Sequence, residues 1–203
     1  NRAITNDILE KLCKIIRENG CNALICSDFR HGIFNSETIS KITHAIPLGT
    51  IKVADSQVSN RWGNILDFAR FDLITPNERE TRFALGDQDT GIRPLAQKLY
   101  NRAECRYLIL KLGADGIITY RSPGIDVREY FYINSFANDL VDPVGAGDAL
   151  LAAATSALAI SKNIVQAAIL GNLCAAIECS KLGNIPVSDK QLLDLLKDIK
   201  KGI

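Results

Sequence analysis

Methionine is absent from the 203 residues, tryptophan occurs once, histidine twice, and aromatic residues make up only 6%. The two histidines, His31 and His44, have no companion at metal-ligand spacing, which argues against a zinc-type cluster. The six cysteines at positions 13, 21, 26, 105, 174 and 179 form no CxxC pair. They read as reduced, mostly buried thiols. No stretch reaches the roughly 18 uninterrupted apolar residues of a membrane span, and no basic-then-apolar leader opens the chain. No membrane partner is therefore expected, and the cytoplasm is the default location. Neither sign of charge dominates: Lys+Arg number 24 and Asp+Glu 23, a net of +1. That balance argues against a general nucleic-acid surface and leaves room for a local basic pocket. The chain starts at Asn1, directly in a helical pattern, so a portion of a longer protein is expected.

What is present is an ordinary globular composition, 47% hydrophobic and 23% charged, long enough for one α/β domain over residues 1–203. Residues 5–19 space Ile8, Leu12, Ile15 and Ile16 along one helical face, with Gly20 as a stop. NALICSDF and TIKVADS read as strands ending at Asp28 and Asp55, with the helix SETISKITHAI between them. FDLITPNERE reads as a strand broken at Pro76, PLAQKLYNRA as a helix, and RYLILKLGADGIITY as strand, glycine turn and strand. YFYINSF reads as one more strand. Three helices follow, at about 146–160, 164–182 and 188–201; the first two are apolar enough to be buried, and Ser188 is the expected N-cap of the third. Strands alternating with helices imply a mostly parallel sheet covered on both faces. Ligands of such sheets sit beyond the carboxyl ends of the strands, where Asp28, Asp55, Asn77 and Lys111 fall.

The stretch VDPVGAGDALLAAATSALA, 141–159, concentrates the chemistry. A helix leaves its first backbone N–H groups without partners, and its dipole favours an anion there. Glycines allow close backbone approach, so Gly145-Ala146-Gly147 reads as an anion hole. Asp148, in the first turn, would stay ionised and could take a proton from an attacking hydroxyl. This combination suits phosphoryl transfer, in which positioning and charge stabilisation dominate. A plain capped helix would read the same way. In TPNERE, 75–80, Asn77 and Glu80 stand three apart after a strand, and Glu80 could hold Mg²⁺ through water; a simple capping arrangement is the alternative. KLGADG, 111–116, is either a phosphate-carrying turn beside Lys111 or a plain hairpin.

In order, TPNERE, KLGADG, DPVGAGDALLAA and GNLCAAIECSKLGN resemble the PfkB, or ribokinase-like, family of carbohydrate kinases, over essentially residues 23–198. The resemblance implies a ribokinase-like three-layer α/β/α fold and ATP-dependent transfer of phosphate to a sugar or sugar-phosphate hydroxyl. Asp148 would be the general base, also touching the substrate, and the amides of Gly145, Ala146 and Gly147 the anion hole. Asn77 and Glu80 match the Asn-x-x-Glu motif near Mg²⁺ and phosphate. Lys111, Gly113 and Gly116 match the nucleotide loop, and Asn172 the position beside the base. Some members bind a monovalent cation near this loop, to which Asp142, Val144 and Gly183 would correspond.

Residues 23–32 and 52–80 look most like the kinase portion of RfaE/HldE-type heptose-phosphate kinases, which act on the anomeric hydroxyl of a heptose 7-phosphate. Asp28 would face the substrate, with Arg30 and His31 either contacting it or serving as loop polarity; Trp62 would cover a pocket or pack at a rim. That group usually carries Asp-Pro-Lys after the second strand, whereas this chain has Asp55-Ser56-Gln57. A ketosugar acid or another sugar therefore stays open. Family members also begin with a further α/β portion, a β lid and a Gly-Gly-Asn-type motif that is not visible here. The resemblance thus implies nucleotide binding, weak or no sugar phosphorylation by these residues alone, an exposed sheet edge and room for a homodimer. A nucleotide-binding module without catalysis is the competing expectation.

Overall fold

A computed structural model describes residues 3–58, 64–122, 129–137 and 140–201; Trp62 lies outside them. The elements run α1 (Asn6–Glu18), β1 (Ala23–Asp28), α2 (Ser36–Ala45), β2 (Ile51–Ser56), β3 (Leu73–Ile74), α3 (Glu78–Leu85), α4 (Ile92–Ala103), β4 (Tyr107–Lys111), β5 (Ile117–Arg121), β6 (Tyr130–Ile133), α5 (Ala146–Ser161), α6 (Ile164–Cys179) and α7 (Asp189–Lys201). The six strands form one sheet in chain order, β1 to β6. The pairs β1–β2, β2–β3 and β3–β4 are parallel. This is the mostly parallel α/β sheet that the strand–helix alternation predicts. The chain divides into two compact units, residues 1–110 with 120–129, and residues 111–119 with 130–203.

In the first unit, the parallel register pairs Val53 with Leu73 and Leu73 with Tyr107. Val53, Ala54, Leu73, Ile74, Leu108, Ile109 and Leu110 are all completely buried, as strands covered on both faces require. α4 contributes Leu95, Ala96, Leu99 and Ala103 to that core. Phe68 packs edge-on against both Phe34 and Phe71. The expected face of α1 needs correction. Its buried residues are Leu9, Cys13 and Ile16, while Ile8 is 52% and Ile15 57% exposed. Apolar residues at 8, 9, 12, 13, 15 and 16 wrap more than one face, so spacing alone does not select the buried stripe. The 9, 13, 16 set is the i, i+4, i+7 stripe that packs.

In the second unit, α5 and α6 pack closely because Gly171 leaves room for them. A Cβ at that position would stand 3.0 Å from the Leu150 carbonyl oxygen and 3.1 Å from the Ala154 Cβ. α6 is buried on most sides, whereas α5 buries Leu150, Leu151, Ala154, Thr155 and Leu158 and leaves Ile160 87% exposed. α6 also ends at Cys179, earlier than the expected 182. The Cys179 carbonyl instead accepts the amides of Val141 and Asp142, at 2.8 and 3.2 Å. Ser188 caps α7 as expected: its hydroxyl accepts the Gln191 amide at 3.4 Å, and the Gln191 side chain accepts the Ser188 amide at 2.9 Å.

Candidate functional site

Asp28, Asn77 and Glu80 lie in the first unit. Asp28, the last residue of β1, is 2% exposed. One carboxylate oxygen accepts the Arg30 amide at 2.8 Å; the other accepts the Arg30 guanidinium at 2.6 Å and the Ser56 hydroxyl at 3.0 Å. Arg30 is held there in a left-handed conformation, φ 62, which non-glycine residues adopt uncommonly. Burial, with the Asp28 charge adding to it, pushes the nearby Cys26 thiol up to about 12. At the end of β2, Asp55 is 4% exposed and accepts the Thr75 hydroxyl at 3.0 Å. Buried polar groups thus line the carboxyl ends of β1 and β2.

Asn77 and Glu80 form a reciprocal capping box on α3. The Asn77 side chain accepts the Glu80 amide at 2.8 Å, and the Glu80 carboxylate, 5% exposed, accepts the Asn77 amide at 2.7 Å. Two N–H groups that the helix start leaves unpaired are satisfied by these two side chains. The capping alternative for TPNERE is therefore realised at the level of hydrogen bonds.

The other candidates, Lys111, Gly113, Gly116, Asp142, Val144, Gly145 to Asp148, Asn172 and Gly183, all belong to the second unit. β4 ends at Lys111, and the chain turns through a short 3-10 segment, Gly113–Asp115, closed by a bond from the Leu112 amide to the Gly116 carbonyl at 2.8 Å. Gly113 (φ 62) is exposed, with open space where a Cβ would be. Gly116 (φ 86) is buried against the backbone of Ile133, Ser135 and Asn134, so no side chain fits there. Asn172, 4% exposed on α6, donates to the Asn134 carbonyl at 2.8 Å and steadies the same 133–135 segment.

α5 opens on Gly145 in a left-handed conformation, φ 90, with no side-chain cap. A Cβ on Gly145 would lie 2.7 Å from Asn184 Oδ1 and 2.8 Å from Glu178 Oε1. Only glycine satisfies both the conformation and the space. Lys111 comes to the same turn: its Nζ stands 3.4 Å from where a Gly147 Cβ would be. Asp148 is half-buried in the first turn of the helix. The Ala146 amide makes a long 3.3 Å bond to the Pro143 carbonyl. A left-handed glycine, a helix N-terminus and a lysine amine at one turn can receive an anion.

Asp142 fixes the entrance. One oxygen accepts the Val144 amide at 3.0 Å and the other the Gly183 amide at 3.1 Å. These two hydrogen bonds shape the turn. Val144 is 60% exposed, and Gly183 (φ 79) is exposed as well. Sequence reasoning missed Glu178, which is 1% exposed and accepts the Ile185 amide at 2.9 Å. As the single charged residue of a sixteen-residue helix it was visible in the sequence. The Cys179 thiol is pushed up by burial first, then by the charges of Glu178 and Asp142. Among the described residues no group of three or more His, Cys, Asp or Glu could hold a metal ion.

Comparison with known proteins follows the same lines. The family model described as pfkB family carbohydrate kinase matches residues 13–191. The bifunctional protein HldE of Helicobacter hepaticus is 26% identical over 201 residues, covering 95% of this chain and 39% of that protein. HldE of Campylobacter curvus is 25% identical over 200 residues, covering 96% of this chain and 41% of that protein. The chain thus spans about two-fifths of the length of these curated relatives. Among solved structures, phosphofructokinase-2 of Escherichia coli in complex with potassium superposes with a TM-score of 0.79 at 18% identity, over 98% of this chain and 64% of that one. Arabidopsis thaliana ribokinase, complexed with ribose and ATP, gives 0.69 at 20% identity, over 96% and 60%. At these identities the structural likeness establishes the fold.

Proposed function

The chain belongs to the pfkB family of carbohydrate kinases, and from that premise we propose that it is the nucleotide-binding and base-bearing part of an ATP-dependent sugar kinase. The observation that carries this reading is the α5 entrance, where Gly145 in its left-handed turn, the Lys111 amine and Asp148 meet within one unit. The nucleotide phosphates would lie against the Gly145–Gly147 turn with Lys111 beside them. Asp148 would take the proton of the attacking sugar hydroxyl, and the turn and Lys111 would stabilise charge on the transferring group. Gly113 and Gly116 would shape the nucleotide loop, and Asn172 would hold its neighbour near the base.

A Mg²⁺ ion arriving with the phosphates needs few protein ligands, because it keeps several waters. A single carboxylate, Glu80, acting through water fits that demand better than an all-protein cage, and Asn77 would hold Glu80 in place. The ion would neutralise phosphate charge. A monovalent cation would sit by Asp142, Val144 and Gly183, where a carboxylate and exposed loop backbone are available.

The substrate we favour is a sugar phosphate of the heptose 7-phosphate kind, phosphorylated at its anomeric hydroxyl, with Asp28 and its bound Arg30 on the substrate side. The support is similarity to HldE proteins, together with a guanidinium held at a strand end. The test is a coupled ATP-consumption assay on the intact protein with heptose 7-phosphate, neutral sugars and ketosugar acids, beside thermal unfolding with and without Mg-ATP. Saturation at about 100 times the dissociation constant should add roughly 2.7 kcal/mol of stability. Turnover with another sugar would move the substrate assignment. Stabilisation without turnover on any sugar would make the protein a nucleotide-binding module, and no stabilisation at millimolar nucleotide would overturn the kinase reading.

A further inference from the structure

The glycine at the mouth of α5 poses a mechanical problem. Gly145 must be glycine because its backbone is left-handed and two oxygens occupy the place of a side chain. Yet glycine populates either sign of φ with similar ease, so nothing within the residue holds it in that state. Backbone bonds flank it, from the Ala146 amide to the Pro143 carbonyl at 3.3 Å and from the Ala149 amide to the Gly145 carbonyl at 2.9 Å; its walls add a further restraint. One wall is Asn184 Oδ1, on an exposed loop residue; the other is Glu178 Oε1, on a side chain 1% exposed in the last turn of α6. That Glu178 oxygen is anchored in turn by the Ile185 amide at 2.9 Å.

Glu178 also completes a two-way lacing of the chain before α5 to the chain after α6. From the first segment, Asp142 reaches across to the Gly183 amide. From α6, Glu178 reaches the Gly145 turn and the Ile185 amide. The backbone ties the same segments, through the Val141 and Asp142 amides on the Cys179 carbonyl.

We propose that Glu178 is a positioning residue: its carboxylate oxygen walls Gly145 into the left-handed turn that keeps the first amides of α5 aimed at the nucleotide phosphates. The inference rests on the reading of residues 145–148 as the phosphate-receiving turn. Reach, and not charge, is what the wall supplies. A negative charge beside a phosphate site is unfavourable by itself, whereas an oxygen at that distance both fills the space and accepts the Ile185 amide.

Two variants of the intact protein separate reach from charge. Glu178→Gln keeps an oxygen at the same reach and removes the charge; Glu178→Asp keeps the charge and withdraws the oxygen by one methylene. Backbone hydrogen exchange at Ala146 and Ala149, whose amides bond to the Pro143 and Gly145 carbonyls across the turn, reads the turn without requiring any activity, and calorimetry with ATP reads its use. The expected result is exchange faster by roughly tenfold and ATP affinity lower by a similar factor in Glu178→Asp, the scale of one lost hydrogen bond. Glu178→Gln should stay within about twofold of the parent on both, well under that scale. Exchange unchanged in Glu178→Asp, or as fast in Glu178→Gln as in Glu178→Asp, overturns the proposal. If the exchange pattern holds but the parent protein binds no nucleotide, the wall stands and the kinase reading falls.

Discussion

Two helices of this protein begin in opposite ways. α3 closes its own N-terminus: Asn77 and Glu80 each take the other's backbone amide, and both carboxamide and carboxylate lie within the box. α5 begins with a glycine, which has no side chain with which to cap it. The first arrangement uses the unpaired amides to stabilise a helix. The second keeps the helix start available and places Lys111 and Asp148 beside it. A closed start stabilises its helix with nothing bound; an open one is useful only if something else arrives to fill it. α5 can remain open because its stability comes from elsewhere, namely five buried side chains and the close seat of Gly171 against Leu150 and Ala154.

The sharpest way to break this contrast is Asp148→Asn. If the α5 mouth is catalytic, the substitution removes the proton acceptor and leaves the turn in place. Sugar phosphorylation by the intact protein should fall by roughly a hundred- to ten-thousand-fold. Thermal stability and ATP affinity should stay near those of the parent. A rate within a few-fold of the parent would make Asp148 an ordinary first-turn carboxylate, and α5 merely a helix without a cap.

Gly145→Ala attacks the other half of the same mouth. The left-handed backbone costs a non-glycine residue roughly 1–2 kcal/mol. The added methyl would also meet Asn184 Oδ1 and Glu178 Oε1 at 2.7 and 2.8 Å. We expect a lower melting temperature together with loss of measurable ATP binding by calorimetry. Intact ATP binding in a destabilised Gly145→Ala protein would separate the turn from the phosphate site.

How much of this was legible in the sequence follows from the kind of interaction involved. The strand–helix alternation and the glycine entrance to α5 depend on local pattern, and each stands where the sequence puts it, whereas α3 after Asn77 falls in a stretch read as a strand broken at Pro76, with capping only as an alternative. Asp142 stands on both sides of this line: its bond to the Val144 amide is what an aspartate before such a turn makes, whereas its bond to the Gly183 amide is set by the fold. The α1 face was not, because six apolar positions wrap the helix and only its neighbours decide which are covered. The end of α6 was not either, because the Cys179 carbonyl is taken by amides almost forty residues earlier in the chain. Glu178 combines both cases: a lone acid in an apolar helix is a visible signal, but its partners, Gly145 and Ile185, are set by the fold.

The smallest of the effects tests the closed end of the comparison. Asn77→Ala removes the side-chain acceptor of the Glu80 amide and loosens the return bond from Glu80. Losing such a cap costs about 1 kcal/mol, and urea unfolding should show that decrease without a change in slope, since no core surface is altered. Asn77→Asp, which can accept the same amide, should recover most of it. The contrast with Gly145→Ala then lies in the ratio of stability to binding. At α5 the binding loss should exceed the stability loss. At α3 the cap is stabilising in its own right, so the unfolding change should appear with no nucleotide present and be of the same size in Asn77→Ala alone as in Asn77→Ala combined with Asp148→Asn. Independent sites add to within a few tenths of a kcal/mol, so a clear departure from additivity would mean that the closed helix start and the open one do not act separately.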